Sequence, residues 1–490
     1  MEDLKLRKKN LIMFPLGTIG RDMEYYLFTS CIMTFVLFTR SLTSAQFAAI
    51  TAIVVAARIF DALNDPIMGN IIERTRTRWG KFKPWLVIGI LSTSVVVYLA
   101  FNTGLQGWSF VCFFGVIYFA YSITYTMHDI SYWGMVPALS SDANARNQFT
   151  ARATLFAGIG GTLASVLIPM LTVGEKAIGG STTTAYGTVA LVVCILAPLF
   201  LCFTVFGVRE KREYTDAPPV SFKKIWKTIT GNDQLLWISL IFLLQQIGNG
   251  LIVGGLGATY IYFDFGYDGG LFSLFSIVGM SVTAFLMIFY PAISRKMGRK
   301  KLMSVLSVIA VAGYAVMLLA GLLLPSEMPK FWAVVIGYML SNFGQYGFYL
   351  IMMISIINTV EYNEYVSGQR DEAIIASLRP FLTKLASALI ILITNVSYIA
   401  FGVTDYTNRI SDLENQCARN LITEAEKISS IDGVIRGIAP GQTLALLLCM
   451  AVIPCVLMLI SYVLYKKRYK LDEDEYERIC AELAARKERA

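Results

Sequence analysis

Residues 58–69 read Arg58-Ile59-Phe60-Asp61-Ala62-Leu63-Asn64-Asp65-Pro66-Ile67-Met68-Gly69, and residues 74–85 read Arg74-Thr75-Arg76-Thr77-Arg78-Trp79-Gly80-Lys81-Phe82-Lys83-Pro84-Trp85. The first stretch closes an apolar run that starts near residue 46, long enough to cross a bilayer, which takes about 20 residues. The second is a strongly basic turn, the mark of a loop held on the cytoplasmic side. Together they describe a membrane-spanning helix with charges inside it. The whole chain agrees. Of its 490 residues 56% are hydrophobic and 16% charged, and the mean hydropathy is +0.59. A soluble domain carries about 25% charged residues, so this chain lacks the charge to cover soluble domains of its length.

Carried along the chain, the same length rule predicts twelve spans, near 11–39, 46–72, 85–103, 107–136, 149–172, 184–206, 234–264, 270–293, 302–324, 331–359, 375–402 and 441–464. The fold expected is an all-α polytopic membrane protein. An even number of spans puts both termini on one side. About 30 of the 42 Lys and Arg residues share that side, and about 7 lie opposite, four of them between Gly402 and Gln442. This asymmetry predicts cytoplasmic termini in the cell (plasma) membrane. It also accounts for the net charge of +8, so no nucleic-acid partner is required. The N-terminus has four basic residues before an apolar run of nearly thirty, followed by further spans, a pattern unlike a cleaved signal peptide.

The basic turn after the second span has a counterpart after the eighth, Arg295, Lys296, Arg299, Lys300 and Lys301. The chain therefore reads as two pseudo-symmetric six-helix bundles, 1–207 and 234–464, joined by a cytoplasmic linker at 208–233 with Pro218 and Pro219. Residues 465–490 form a short charged cytoplasmic tail, expected to be a solvated helix. The eight cysteines form no CxxC, and His128 is the single histidine, so neither a disulfide framework nor a His-built metal site is expected. GxSxG and phosphate-binding glycine loops are missing, and the chain is not expected to be an enzyme.

The informative residues are the ionisable groups inside spans, which are costly in hydrocarbon unless paired or lining a cavity. They are Arg21, Asp22 and Glu24 in the first span, Arg58, Asp61 and Asp65 in the second, and Asp129 in the fourth. Arg152 stands near the start of the fifth, and Arg379 and Lys384 lie in the eleventh. One reading is a set of structural ion pairs. Spacing favours a second reading. Arg58, Asp61 and Asp65 fall at i, i+3 and i+7, on one helical face, and Thr126, Asp129 and Trp133 repeat that spacing. Two carboxylates a turn apart repel unless a cation sits between them. Such carboxylates, with hydroxyl or carbonyl oxygens, suit a small hard cation. A tryptophan one turn from a carboxylate suits a sugar: the ring stacks on its C–H face and the acid accepts hydroxyl hydrogen bonds.

The Arg58–Gly69 run, continued through Arg74–Trp85, resembles the signature of the glycoside–pentoside–hexuronide:cation symporters, the melibiose permease type within the major facilitator superfamily. Thr124-Tyr125-Thr126-Met127-His128-Asp129-Ile130-Ser131-Tyr132-Trp133 resembles the sugar-and-cation helix of that family. Glu361-Tyr362-Asn363-Glu364-Tyr365, with Gly368, Arg370 and Glu372, resembles its loop before the eleventh span. The resemblance covers nearly the whole chain and implies the major facilitator fold and sugar–cation symport by alternating access. It implies that Asp61 and Asp65 hold the coupling cation, with Thr126 and Asp129 contributing nearby; Na⁺ is the ion expected, with H⁺ or Li⁺ as alternatives, because Thr126 and Asn64 can add neutral oxygens. It implies that Asp22, Asp129, Trp133 and Arg152 hold sugar, while Arg58 and Lys384 balance charge. Arg379 and Glu24 depart from the pattern. Arg379 is expected either to pair with Glu24 or to meet an acidic substrate such as a hexuronide. No cofactor is implied, and the partners are the sugar or glycoside, the cation and the lipid bilayer, with the monomer as the functional unit. A cation-coupled carrier of another amphiphile, such as a lysophospholipid, is the alternative within transport, and a membrane-embedded enzyme is the remote alternative outside it.

Overall fold

The computed structural model describes residues 2–140, 143–208 and 222–489. Among them are seventeen α-helices and no strand, only an isolated bridge between Thr77 and Gly80. They are α1 (Glu2–Thr39), α2 (Ser44–Arg74), α3 (Lys83–Phe101), α4 (Gly107–Leu139), α5 (Ala143–Thr172) and α6 (Thr182–Gly207). Then come α7 (Phe222–Gly231), α8 (Asp233–Leu251), α9 (Gly257–Phe265), α10 (Gly269–Lys296), α11 (Arg299–Leu323) and α12 (Met328–Ser367). The last are α13 (Glu372–Ala400), α14 (Val403–Ala418), α15 (Glu424–Arg436), α16 (Pro440–Arg468) and α17 (Glu473–Arg489). Twelve long helical segments fall on the twelve apolar runs, with α8 and α9 sharing one. Ten are long and apolar enough to cross a membrane. Of the other two, α1 carries Arg21, Asp22 and Glu24 near its middle, and α10 has its apolar stretch over Gly269–Thr283.

Three segments differ from the sequence reading. The 234–264 span is interrupted by a π-helical turn at Ile252–Leu256, where Gly255 has φ 133°, a region that favours glycine. The segment 361–365 is no loop: α12 runs on through it for 40 residues in all, because no breaker intervenes before Gly368, which ends it at φ 71°. The long connection 403–440 folds as the helix pair α14–α15. Thr423 starts α15 with a capping box to Glu426. Of the expected linker, 209–221 with both prolines lies outside the described residues, and α7 follows it. The tail is helical, as read, but not simply solvated: Ile479 and Leu483 are buried, Glu473 pairs with Arg299 at 2.9 Å and Asp472 with Lys300 at 2.8 Å.

The helices gather into two compact units. The first holds α1–α6 with Ile261–Leu274 and Tyr398–Ile438. The second holds α7, α8 and residues 275–397 and 439–490. In the first, α1 packs on α3, α5 and α6, and α2 packs on α4. Gly20 permits the α1–α6 approach, since a Cβ there would lie 2.7 Å from the Ala197 backbone. Phe14 stacks on Tyr132 at 4.3 Å, and the Tyr132 hydroxyl donates to the Phe14 carbonyl at 2.7 Å, joining α1 to α4. In the second unit, Gln245 donates to the Gln345 carbonyl and Gln345 to the Tyr314 hydroxyl, each at 3.0 Å. Arg370 is gripped there by Glu361 at 2.7 Å and Glu364 at 3.0 Å.

The α14–α15 pair is fastened to the first unit through a buried ion pair. Lys427 Nζ lies 3.4 Å from Glu414, and their side chains are 1% and 0% exposed. Glu414 also accepts from the Thr182 amide at 2.7 Å and the Thr182 hydroxyl at 3.1 Å, while Lys427 donates to the Gly180 carbonyl at 2.7 Å. Burial holds the Glu414 carboxyl above the ordinary carboxylate range, and Lys427 and Thr182 pull it back only in part. Glu414→Ala should therefore cost about 3–5 kcal/mol, because it strands the lysine charge. Adding Lys427→Met should recover part of that loss. Thermal unfolding of the single and double variants measures both, and equal midpoints would contradict the fastening.

Candidate functional site

The first unit holds two polar sites built from α1, α2 and α4. Asp61 and Asp65 stand one turn apart on α2, and Ser122 and Thr126 stand one turn apart on the facing α4. Ser122 donates to Asp61, and Thr126 Oγ1 donates to Asp65 at 3.3 Å, so the two helices form a ladder with two rungs. Arg58 lies 3.8 Å from Asp61, one turn back on α2, and its guanidinium covers the Tyr118 ring at 5.9 Å. That cation relieves the repulsion between the two carboxylates. Asn64 lies between them in the sequence, with its amide nitrogen buried and unpartnered. Two carboxylates, two hydroxyls and an amide make a hard-oxygen set suited to an alkali cation or a proton. Among the described residues no group of three or more His, Cys, Asp or Glu side chains is placed to share a metal ion.

The second site centres on Arg21. Its guanidinium donates to Asp22 at 2.9 and 3.1 Å and to Asp129 on α4 at 3.1 Å. Arg21 is 3% exposed, Asp22 18% and Asp129 35%, so the base is enclosed and the acids keep an open side. The guanidinium also lies over the rings of Tyr132 at 4.9 Å and Trp133 at 5.5 Å. Trp133 is half-buried and meets Tyr132 edge-on. Partly open carboxylates beside a partly open indole are the groups that grip a polyol: acceptors for hydroxyls and a flat apolar face.

Of the residues singled out in the sequence, Asp22, Asp129 and Trp133 come together around Arg21, and Asp61, Asp65, Thr126 and Arg58 come together on the ladder, with Asn64 beside Asp65 in the chain. Asp129, considered for both, bonds Arg21. Arg152 stands apart: it is exposed and donates to the Leu11 carbonyl at 3.3 Å, a carbonyl about 16 Å along α1 from Asp22 by the helical rise. Arg379 and Lys384 belong to the second unit. Arg379 donates to the Tyr349 hydroxyl at 2.7 Å and lies over that ring. Glu24, the partner considered for Arg379, is fully buried, flanked by Ser94 and Cys194. Sequence reasoning missed Arg21 as the centre of the second site and Ser122 as a rung of the first. The signal was present: Ser122 and Thr126 repeat the four-residue interval of Asp61 and Asp65.

A family model described as MFS/sugar transport protein matches residues 13–473. The lactose permease of Leuconostoc lactis is 30% identical over 403 residues, 77% of this chain and 60% of that protein. The raffinose carrier protein of Pediococcus pentosaceus is 27% identical over 96% of this chain and 71% of its own length. The chain thus spans less than two thirds of the first relative. Among solved structures, a bacterial homolog of the human lysosomal transporter Spinster, inward-facing and occupied, aligns with TM-score 0.63 and 15% identity, over 95% of this chain and 99% of that one.

The geometry around Arg21 predicts an ordering. Arg21→Gln removes the base that two carboxylates share, whereas Asp22→Asn or Asp129→Asn leaves the guanidinium with the other acid. Stability should fall most for Arg21→Gln, by about 2 kcal/mol once the acids' exposure is allowed for, read as the largest drop in the midpoint of thermal unfolding. A larger fall for either aspartate variant would displace Arg21 from the centre.

Proposed function

Because the chain belongs to the MFS/sugar transport protein family, we propose that it is a symporter carrying a glycoside into the cell together with a cation by alternating access. The observation that carries this reading is the pairing of two sites in one bundle: the Asp61–Ser122 and Asp65–Thr126 ladder, and the Arg21–Asp22–Asp129 cluster beside Trp133. In this reading Asp22 and Asp129 accept sugar hydroxyls and Trp133 stacks on the pyranose, while Arg21 keeps both acids ionised and oriented. Asp61 and Asp65 hold the cation with Thr126 and Ser122. Na⁺ is favoured over H⁺ because hydroxyl oxygens add coordination that a proton does not need. The named relatives act on lactose and raffinose, which share a galactosyl unit, and a galactoside is the cargo proposed. Both termini are taken as cytoplasmic, from the distribution of basic residues.

A second reading concerns the charge of the cargo. Arg379 is exposed, and among the described residues its hydrogen-bond partner is the Tyr349 hydroxyl and not a carboxylate, which suits an acidic glycoside. Unchanged glucuronide uptake by Arg379→Gln would remove it.

The test is uptake and binding in proteoliposomes, with lactose and raffinose, with and without Na⁺ at fixed pH. Asp129→Ala should lower sugar affinity about tenfold or more, since a charge-assisted hydrogen bond contributes about 1.5–3 kcal/mol, and Trp133→Ala should lower it through the lost stacking face. Asp61→Cys or Asp65→Cys should abolish accumulation against a gradient and the Na⁺ enhancement of binding, leaving weak downhill movement. An affinity that ignores Na⁺ but follows pH would replace the sodium site with a proton site. Normal sugar binding by both sugar-site variants would remove the pocket.

A further inference from the structure

Glu24 lies on α1, outside both polar sites, and its carboxyl is among the most enclosed groups in the protein, with 0% exposure. Both carboxyl oxygens are buried without a hydrogen-bond partner. Three helices surround it. Ser94 of α3 and Cys194 of α6 flank the carboxyl, and Tyr121 of α4 is within electrostatic reach. None of these carries a positive charge, and α5 and α14, which also pack on α1, bring it none among the described residues. On its own helix Arg21 is committed to Asp22 and Asp129. The Ser94 hydroxyl is itself buried and unpartnered, although a helical serine ordinarily bonds back to the carbonyl of the preceding turn. Ser92 on the same helix does so, donating to the Ile88 carbonyl at 2.6 Å. Ser94 thus has a hydroxyl that can turn to Glu24.

An ionised carboxylate with no cation beside it, and only a hydroxyl and a thiol within reach, is far more costly than a neutral acid in the same place. A carboxylic acid O–H is a donor, and the hydroxyl of Ser94 can rotate to answer it. We propose that Glu24 is a proton-binding site separate from the Asp61–Asp65 pair, filled as a neutral carboxylic acid in this conformation and emptied to water when the α1–α3–α6 seam opens. The ligand is a proton drawn from bulk water and returned to it, so no other reactant takes part. The consequence is a pH-dependent conformational balance. Low pH favours the closed seam, and high pH favours any state that hydrates Glu24.

The test is infrared difference spectroscopy of the purified full-length protein in lipid, without sugar or Na⁺, so its outcome stands apart from the cargo assignment. At neutral pH the wild type should show the C=O stretch of a protonated carboxyl, shifted in D₂O, and Glu24→Gln should lose that component. Thermal stability should fall with rising pH in the wild type and should lose that slope in Glu24→Gln. If the glutamine variant does not accumulate, Glu24→Leu gives the same two readouts with a neutral side chain of similar length. Absence of a Glu24-dependent protonated band at neutral pH overturns the proposal. So does a pH slope that persists in the neutral variants.

Discussion

A guanidinium cannot shed its charge, so Arg21, in the middle of a helix buried in its bundle, must find anions within hydrogen-bonding reach. Asp22 beside it and Asp129 across on α4 meet that need and fix the approach of α1 to α4. The same contact orients Trp133 and Tyr132 under the guanidinium. Because the base is already shared by two acids, a third acid nearby on α1 is left without it. The isolation of Glu24 follows from the placement of Arg21 as much as from its own burial.

The carboxylate ladder obeys the same economy of charge by different means. Arg58 lies at 3.8 Å from one acid, and neutral hydroxyls on α4 serve both acids. Hydroxyls give oxygen ligands without adding charge to a bundle that must stay close to electrically balanced in lipid. Rigid facing helices then hold those oxygens at fixed spacing, one turn apart on each side.

Much of this was legible in the sequence. Runs of about 20 apolar residues and basic turns located the helices, because lipid leaves the backbone no alternative to internal hydrogen bonding. The i, i+3, i+7 rows placed Arg58, Asp61 and Asp65 on one face, since helical geometry alone decides that. Contacts between helices were less legible. Arg152 reaches the Leu11 carbonyl, a partner set by the packing of α5 on α1 that no local spacing encodes. Ser122 was hidden because a serine in an apolar helix usually bonds its own backbone. The break at Gly255 and the helical fold of 403–440 depend on single glycines, caps and a distant docking surface, all invisible to a hydropathy window.

The docking of α14–α15 on the first unit bears on how the protein is made. This helix pair belongs by packing to a bundle whose other helices are mostly encoded before residue 208, yet it emerges from the ribosome about two hundred residues later. Domains generally fold N-terminal first during synthesis, at about 5–20 residues per second. The Thr182 amide and the Gly180 carbonyl therefore wait tens of seconds for Glu414 and Lys427 to be translated. Through that interval the first bundle exists in the membrane with one rim unsealed, and a nascent chain arrested before residue 414 would display that rim to whatever chaperone or protease patrols that face.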